Sequence, residues 1–275
     1  MALLAENWGL GDFIVQLPGI QFLLTMGCKV HYFTNEKFKS LLPVHPRLVV
    51  HPITNTPPAP TIPPEWGWCG KGGRGLDRNA IHSTTCWLPW IYDYRRHFAP
   101  SQYPDAPFYY PKLDFNPNTL DRLEKSMGLK PKQYITFIKS THEANRNWPE
   151  GYWDELIELL SVDFTCVHVG MRRHEKNSYD VPDSPKSIQM NESFSLLETA
   201  HLIRGSKAFV SADTGMYHIA TAIGAEKVIV LWKPIGGVTW YYPSNFIVNK
   251  DLSKQEAFAK ILNYIYDTGN LRPNL

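Results

Sequence analysis

The sequence predicts an α/β chain built of two parallel-sheet halves, and three observations carry that prediction. Short apolar runs of strand length alternate with amphipathic stretches of helix length, the order of repeated βαβ units. This alternation occurs twice, once before residue 54 and again after residue 117. Between the two lie the proline-rich segments "TNTPPAPTIPP" (54–64) and "APSQYPDAPFYYPKLDFNP" (99–117), which sustain neither helix nor strand. The domain boundary is therefore placed within the second, giving domains of residues 1–115 and 116–275.

In the first half a strand at 2–6 enters the turn "NWGLGD", and "FIVQLPGIQFLLTMG" reads as one helix bent at Pro18. "KVHYFT" (29–34) and "RLVVHPI" (47–53) read as strands on either side of a short helix in "EKFKSLL". Residues 66–98 mix Trp, Gly, Arg and His, with a helix expected near 78–98. The second half alternates more regularly. Helices are expected at 118–127, 149–161, 194–204, 215–223 and 252–267. Strands are expected at 133–139, 163–169, 186–190, 207–212 and 226–232. Two such halves place a ligand between them, outside the carboxyl ends of the strands.

Composition sets outer bounds. With 275 residues, 43% of them apolar, the chain can bury a sizeable core. A net charge of +2 neither demands nor excludes a polyanionic partner. Cys28, Cys69, Cys86 and Cys166 show no C-x-x-C spacing and read as free thiols of a reducing compartment. No apolar run approaches the about 18 residues of a membrane span, and "MALLAENWGLGD" lacks the basic region of a secretory leader. A soluble, cytoplasmic chain without a transmembrane segment is expected.

Three stretches carry chemistry. In "SADTGMYHIATAIG" (211–224), Asp213, Thr214 and Gly215 stand at the carboxyl end of the strand "KAFVSA", where a helix begins. Free N–H groups and the positive end of the helix dipole suit a phosphate there, and a glycine lets it approach the backbone closely. The same residue types also make an ordinary helix cap, and the two roles are compatible. In "IKSTHEANRNWPEGYWDELIELL" (138–160) a strand ends at hydroxyl residues, and a polar loop carrying His142 and Arg146 leads into an amphipathic helix. Thr141 and Arg146 there form a candidate diphosphate clamp. In "NWGLGDFIVQLPGI" (7–20), Gly9 and Gly11 make a tight turn before Asp12. The turn is not a dinucleotide fingerprint, because Ile14 occupies the place of the last glycine. Asp12 is a candidate base for a substrate hydroxyl, or the cap of the following helix.

In this order, the strand–GxGD–helix opening, "WPEGYWDELI" and "SADTGMYHIATAIGAEKVIVLW" resemble the ADP-heptose:lipopolysaccharide heptosyltransferases of glycosyltransferase family nine. The resemblance covers residues 2–24 and most of 133–235. It implies a GT-B fold of two Rossmann-like domains whose parallel sheets face a cleft, residues 1–115 binding the acceptor and 116–275 the nucleotide-sugar donor. It implies inverting sugar transfer from a nucleoside-diphosphate sugar to a saccharide or lipopolysaccharide-like hydroxyl, with no bound metal and no further cofactor. An acceptor of that kind also allows peripheral attachment at the inner membrane surface. Position by position, Asp12 matches the general base, and Thr141 and Arg146 match the hydroxyl and cation on the donor diphosphate. The family commonly has Lys at the place of Arg146 and a second hydroxyl where His142 stands. Asp213, Thr214 and Gly215 match the turn against the donor phosphates, His218 its partner in the motif, and Glu175 the acidic ribose contact. The residues agree with that chemistry: no two aspartates lie two apart, so no D-x-D pair is available to hold a diphosphate through a metal.

Other patterns are set aside. "GKGGRG" (70–75) fits G-x-G-x-x-G formally but follows a loop rather than a strand, and "THEAN" lacks the second histidine of a zinc helix. Trp148 and Trp153 read as packing residues. Between Trp66 and His97, Arg74, Arg78, Arg95 and Arg96 are interleaved with four tryptophans, a candidate acceptor surface or a packed aromatic subdomain with a solvated rim. Such a surface also suits a phage-type enzyme acting on hydroxyl-modified bases in DNA, which would need base flipping and a basic groove. A non-catalytic nucleotide- or sugar-binding protein is the remaining alternative, and Asp12 in the "GLGD" turn argues for the enzyme.

Overall fold

Strand order is the feature that places everything else. The computed structural model describes residues 2–4, 10–14, 17–25, 27–52, 68–70, 110–139, 141, 146–170, 173–174, 179–180, 186–190, 193–232, 242 and 244–267. The chain divides into two compact units, Met1–Leu113 and Asp114–Leu275.

In the first unit, β1 (Ala2–Leu4), β2 (Val30–Thr34), β3 (Leu48–Pro52) and β4 (Trp68–Gly70) form a parallel sheet in the order β3-β2-β1-β4. The order reverses beside β1, whose exit leads to α1 (Leu10–Ile14). The expected single helix bent at Pro18 is two helices. A second one, α2 (Leu17–Thr25), carries Pro18 in its first turn, where a missing N–H costs nothing. Phe13, Ile14, Leu17 and Ile20 are fully buried, and Phe13 packs on Tyr32 and Phe38 at ring distances of 6.0 and 5.0 Å. The short helix in "EKFKSLL" is a 3₁₀ turn, Glu36–Leu41, opened by the Asn35 side chain accepting from Lys37 N. The helix expected near 78–98 lies outside the described residues.

The second unit holds β5 (Tyr134–Ile138), β6 (Thr165–His168), β9 (Ser187–Gln189), β10 (Ala208–Ala212), β11 (Val228–Trp232) and β12 (Phe246–Asn249). They form one parallel sheet ordered β12-β11-β10-β5-β6-β9. From the β9 end this is the doubly wound order, third-second-first-fourth-fifth-sixth, and it reverses between β5 and β10. Every residue of β5, β10 and β11 is buried, because helices cover both faces of a parallel sheet. Edge strand β12 was not expected: it has four residues and only Val248 is fully buried, too little for a periodic signal. The polar stretch after β6 contains a two-stranded antiparallel ribbon, β7 (Arg173–His174) and β8 (Tyr179–Asp180).

The helices of this unit are α3 (Pro117–Met127), α4 (Glu150–Leu160), α5 (Leu196–Gly205), α6 (Gly215–Ala222) and α7 (Lys254–Tyr266). Their starts are written locally. Asn116 caps α3 ahead of Pro117, and Ser195–Glu198 and Ser253–Glu256 form complete capping boxes on α5 and α7. Trp148 and Trp153 are packing residues as expected, edge to face at 5.3 Å and 3% and 1% exposed. Their core also takes Phe258 and Ile261 of α7. Cys28 and Cys166 are free thiols, and burial pushes Cys166 up to about 12, which leaves it protonated and inert. Among the described residues no helix is long and apolar enough to cross a membrane.

Candidate functional site

The reversal between β5 and β10 is where a doubly wound sheet opens a crevice at its carboxyl edge. Two of the three stretches singled out in the sequence leave the sheet there side by side. β5 and β10 are paired, with Ile138 opposite Ser211, so the loop from Thr141 to Pro149 emerges next to the turn Asp213–Gly215. The two meet in an ion pair: Arg146 Nη1 lies 3.1 Å from Asp213 Oδ2, with the side chains 34% and 15% exposed.

Each partner is fixed by its own surroundings. Thr141 is buried, and its backbone N–H donates to Asn147 Oδ1 at 2.7 Å, drawing together the two ends of the loop that carries Arg146. Trp148, locked against Trp153 and Phe258, anchors the far side. Across the crevice Thr214 is the cap of α6: its Oγ1 accepts from Met216 N at 3.2 Å and lies 3.3 Å from Ser211 Oγ. The cap reading thus holds for Thr214, while Asp213, one residue earlier, is left to orient Arg146. A carboxylate beside the positive end of α6 is favourable, and so is any anion that approaches the same end. A guanidinium has five N–H donors in a rigid fork, so an oriented Arg146 is suited to grip a phosphate. Gly215 is the first residue of α6, in keeping with close approach to the backbone.

His218 sits one turn into α6 and is buried, its Nδ1 2.9 Å from the Tyr242 hydroxyl and its ring centroid 3.9 Å from that of Tyr217. It therefore ties α6 to the segment that precedes β12. Thr221 Oγ1 reinforces that tie by donating to Asn245 Oδ1 at 3.0 Å.

Asp12 lies on α1 of the first unit, in the helix that follows β1. Glu175, His142, Arg74, Arg78, Arg95 and Arg96 lie outside the described residues. Sequence reasoning missed Tyr242, whose partner is distant in the chain. It also missed Lys139, 3% exposed at the exit of β5 with Nζ 3.8 Å from Asp154 Oδ1 on α4. A lysine closing the apolar run "YITFI" was the available signal. His168 was missed too. It is buried at the end of β6, its Nδ1 2.9 Å from Gln189 Oε1, while Gln189 Nε2 donates to Ser187 Oγ at 2.6 Å.

The family model "Glycosyltransferase family 9 (heptosyltransferase)" matches residues 61–240. Lipopolysaccharide heptosyltransferase 1 of Escherichia coli (strain K12) is 26% identical over 118 residues, 42% of this chain. That match spans only 37% of the length of the curated relative. Among solved structures, E. coli ADP-heptose lps heptosyltransferase II is similar at a TM-score of 0.68 and 14% identity, over 96% of this chain and 98% of that one. The iron-containing dodecameric glycosyltransferase TibC from enterotoxigenic E. coli H10407 is similar at a TM-score of 0.63 and 16% identity, over 93% and 66%. At such identities the likeness is one of fold, and it establishes the α/β, parallel-sheet class of the GT-B glycosyltransferases.

Proposed function

The chain belongs to glycosyltransferase family 9, and from that premise we propose that it moves a sugar from a nucleoside-diphosphate sugar to an acceptor hydroxyl. The donor we propose is of the ADP-heptose type and the acceptor lipopolysaccharide-like, the classes named in the similar proteins. The observation that carries this reading is the Arg146–Asp213 pair at the start of α6, on the seam between β5 and β10. An oriented cation beside a helix N-terminus supports a diphosphate contact there.

The proposed reaction is a single displacement. The acceptor oxygen bonds to the anomeric carbon from the face opposite the leaving group, so configuration inverts. The bond from that carbon to the diphosphate oxygen breaks, and the acceptor proton passes to the Asp12 carboxylate. Negative charge growing on the departing nucleoside diphosphate is met by Arg146 and the first N–H groups of α6, with Thr141 adding a hydroxyl. His218, through Tyr242, holds α6 in place. Glu175 is assigned to the donor ribose, and Arg74, Arg78, Arg95 and Arg96 to anionic groups of the acceptor.

Charge stabilisation by a guanidinium and backbone N–H groups requires no divalent ion, and we propose that transfer is metal-independent. The iron of TibC is a property of that protein. A lipid-borne acceptor places the working enzyme in the cytoplasm at the inner membrane surface. The DNA alternative finds no support in relatives named for lipopolysaccharide.

The test combines ADP, ADP-heptose and a heptose-free lipopolysaccharide core with the full chain, with and without EDTA. ADP is expected to raise the melting temperature by linkage, and a heptosylated product is expected to appear at the same rate in EDTA. Binding of ADP without turnover would favour the non-catalytic reading. Loss of turnover in EDTA, restored by a divalent ion, would overturn metal independence.

A further inference from the structure

Packing alone does not explain Trp232. It ends β11 and is 5% exposed. Among the described residues its indole N–H meets no acceptor and its ring meets no other ring. The N–H groups of Trp148 and Trp153 also lack an acceptor, but those two indoles pack edge to face in the core that α4 and α7 share. At Trp232 a phenylalanine would fill apolar space without burying an N–H, so the choice of indole calls for another reason.

Register and alternation place this indole. β10 and β11 pair with Ser211 opposite Val230 and Ala212 opposite Leu231, which brings Trp232 level with Asp213. Paired residues share a face of the sheet. Ala212 and Leu231 belong to the core under α4 and α7, so Ser211, Val230 and Trp232 fall on the opposite face. That face carries α6, whose cap Thr214 has its Oγ1 3.3 Å from Ser211 Oγ. The indole thus stands at the same edge and on the same face as the first turn of α6, one strand over from the Arg146–Asp213 pair.

We infer that the Trp232 indole N–H is a further contact for the nucleoside diphosphate, donating to a phosphate oxygen drawn to the α6 N-terminus. The inference rests on the donor reading given above. An indole N–H donates and cannot accept, so it suits a group that offers only lone pairs, as an ionised phosphate does. Arg146 supplies charge; Trp232 adds a fixed direction without a second charge. A buried N–H that lacks an acceptor costs stability in the unliganded chain, and a bound phosphate supplies the acceptor.

Calorimetric titration of the full chain with ADP and with adenosine tests this, in the unmodified protein and in Trp232→Phe. The substitution keeps an aromatic ring and removes the N–H. ADP affinity is expected to fall about tenfold, the size of one hydrogen bond to a charged acceptor, and adenosine affinity to stay the same. In protein labelled with ¹⁵N at tryptophan, the indole signal absent from Trp232→Phe is expected to move when the unmodified chain binds ADP. A tryptophan that only packs predicts equal losses for ADP and adenosine. Unchanged ADP affinity, a loss shared equally by adenosine, or a stationary indole signal overturns the inference while the donor reading stands. If Trp232→Phe does not fold, Trp232→Met, a flexible filler of the same space, carries both comparisons. Failure of the unmodified chain to bind ADP overturns the donor reading and this inference with it.

Discussion

Arg146 and Asp213 reach each other at 3.1 Å from segments that follow two neighbouring parallel strands. Asp213 both points the guanidinium and places a negative charge beside the proposed phosphates. Substitutions separate the two effects. Asp213→Asn retains an acceptor for Nη1 and removes the like charge, so ADP affinity is expected to hold or rise. Asp213→Ala loses the acceptor and is expected to weaken ADP. Arg146→Ala is expected to abolish most of the ADP-induced thermal shift, because charge-assisted contacts of about 1.5–3 kcal/mol disappear. Arg146→Lys is expected to retain part of it, an ammonium keeping the charge but not the fork. Thermal shift and titration with ADP read all four.

For Asp12, function and folding predict different losses. As the proton acceptor, Asp12→Asn is expected to bind ADP normally and turn over about 10²–10⁴-fold more slowly. As a carboxylate that only favours the first turn of α1, where it is the third residue and not the expected cap, it would cost about 0.3–1 kcal/mol of stability and leave the rate alone. Steady-state kinetics alongside thermal melts separates the two.

Glu124 is 5% exposed, and its Oε1 lies 3.0 Å from the Tyr134 hydroxyl, which also lies 2.8 Å from the Leu202 carbonyl. A phenol has one proton for these two acceptors. Burial holds the carboxyl above its usual range, with Asp121 adding to the shift and the Tyr134 hydrogen bond and Lys132 opposing it. A carboxyl raised on folding contributes stability that is full below its unfolded value and lost as pH rises through its folded value. The melting temperature is therefore expected to carry a downward component as pH rises above about 4.5. Glu124→Gln, neutral throughout, is expected to remove it.

His31 shows the opposite slope. Its Nδ1 is 3.0 Å from His51 Nε2, the rings stacked at 5.3 Å, an arrangement that accommodates one shared proton but not two. Burial first, then the charges of His51 and Lys29, lowers its proton affinity below the ordinary 6.5. Below that pH the unfolded chain binds the proton more readily than the folded one, so stability is expected to fall on acidification from about 6.5. His51→Gln, which keeps a hydrogen-bonding partner without a second ring charge, is expected to flatten this slope in melts taken between neutral and mildly acidic pH.

Local signals were legible where structure is decided locally. "YITFI", "AFVSA" and "VIVLW" are continuous apolar runs because both faces of their sheet are covered. Ser195–Glu198 and Ser253–Glu256 announce helix starts within four residues. The Asp213–Gly215 turn and the Arg146 loop were legible for the same reason, each being a strand-to-helix transition. That Arg146 and Asp213 touch was not legible, since it depends on β10 adding beside β5, a matter of sheet assembly. Lys139 was passed over because its burial beside α4 is decided by packing, and a lysine at a strand end looks solvated in the sequence. Pro18 was taken for a kink because the period of "FIVQLPGIQFLL" continues through it, though a proline serves equally to begin a helix.

The seam between β5 and β10 also decides who owns the proposed ligand grip. A chain cut between β9 and α5 leaves Arg146 on one piece and Asp213 with the α6 N-terminus on the other, so neither fragment alone carries both halves of the clamp. Mixed together, the pieces regain it only by rebuilding the β5–β10 pairing. On the proposed donor reading, ADP capture by the mixed fragments is expected to report that the β5–β10 pairing has re-formed.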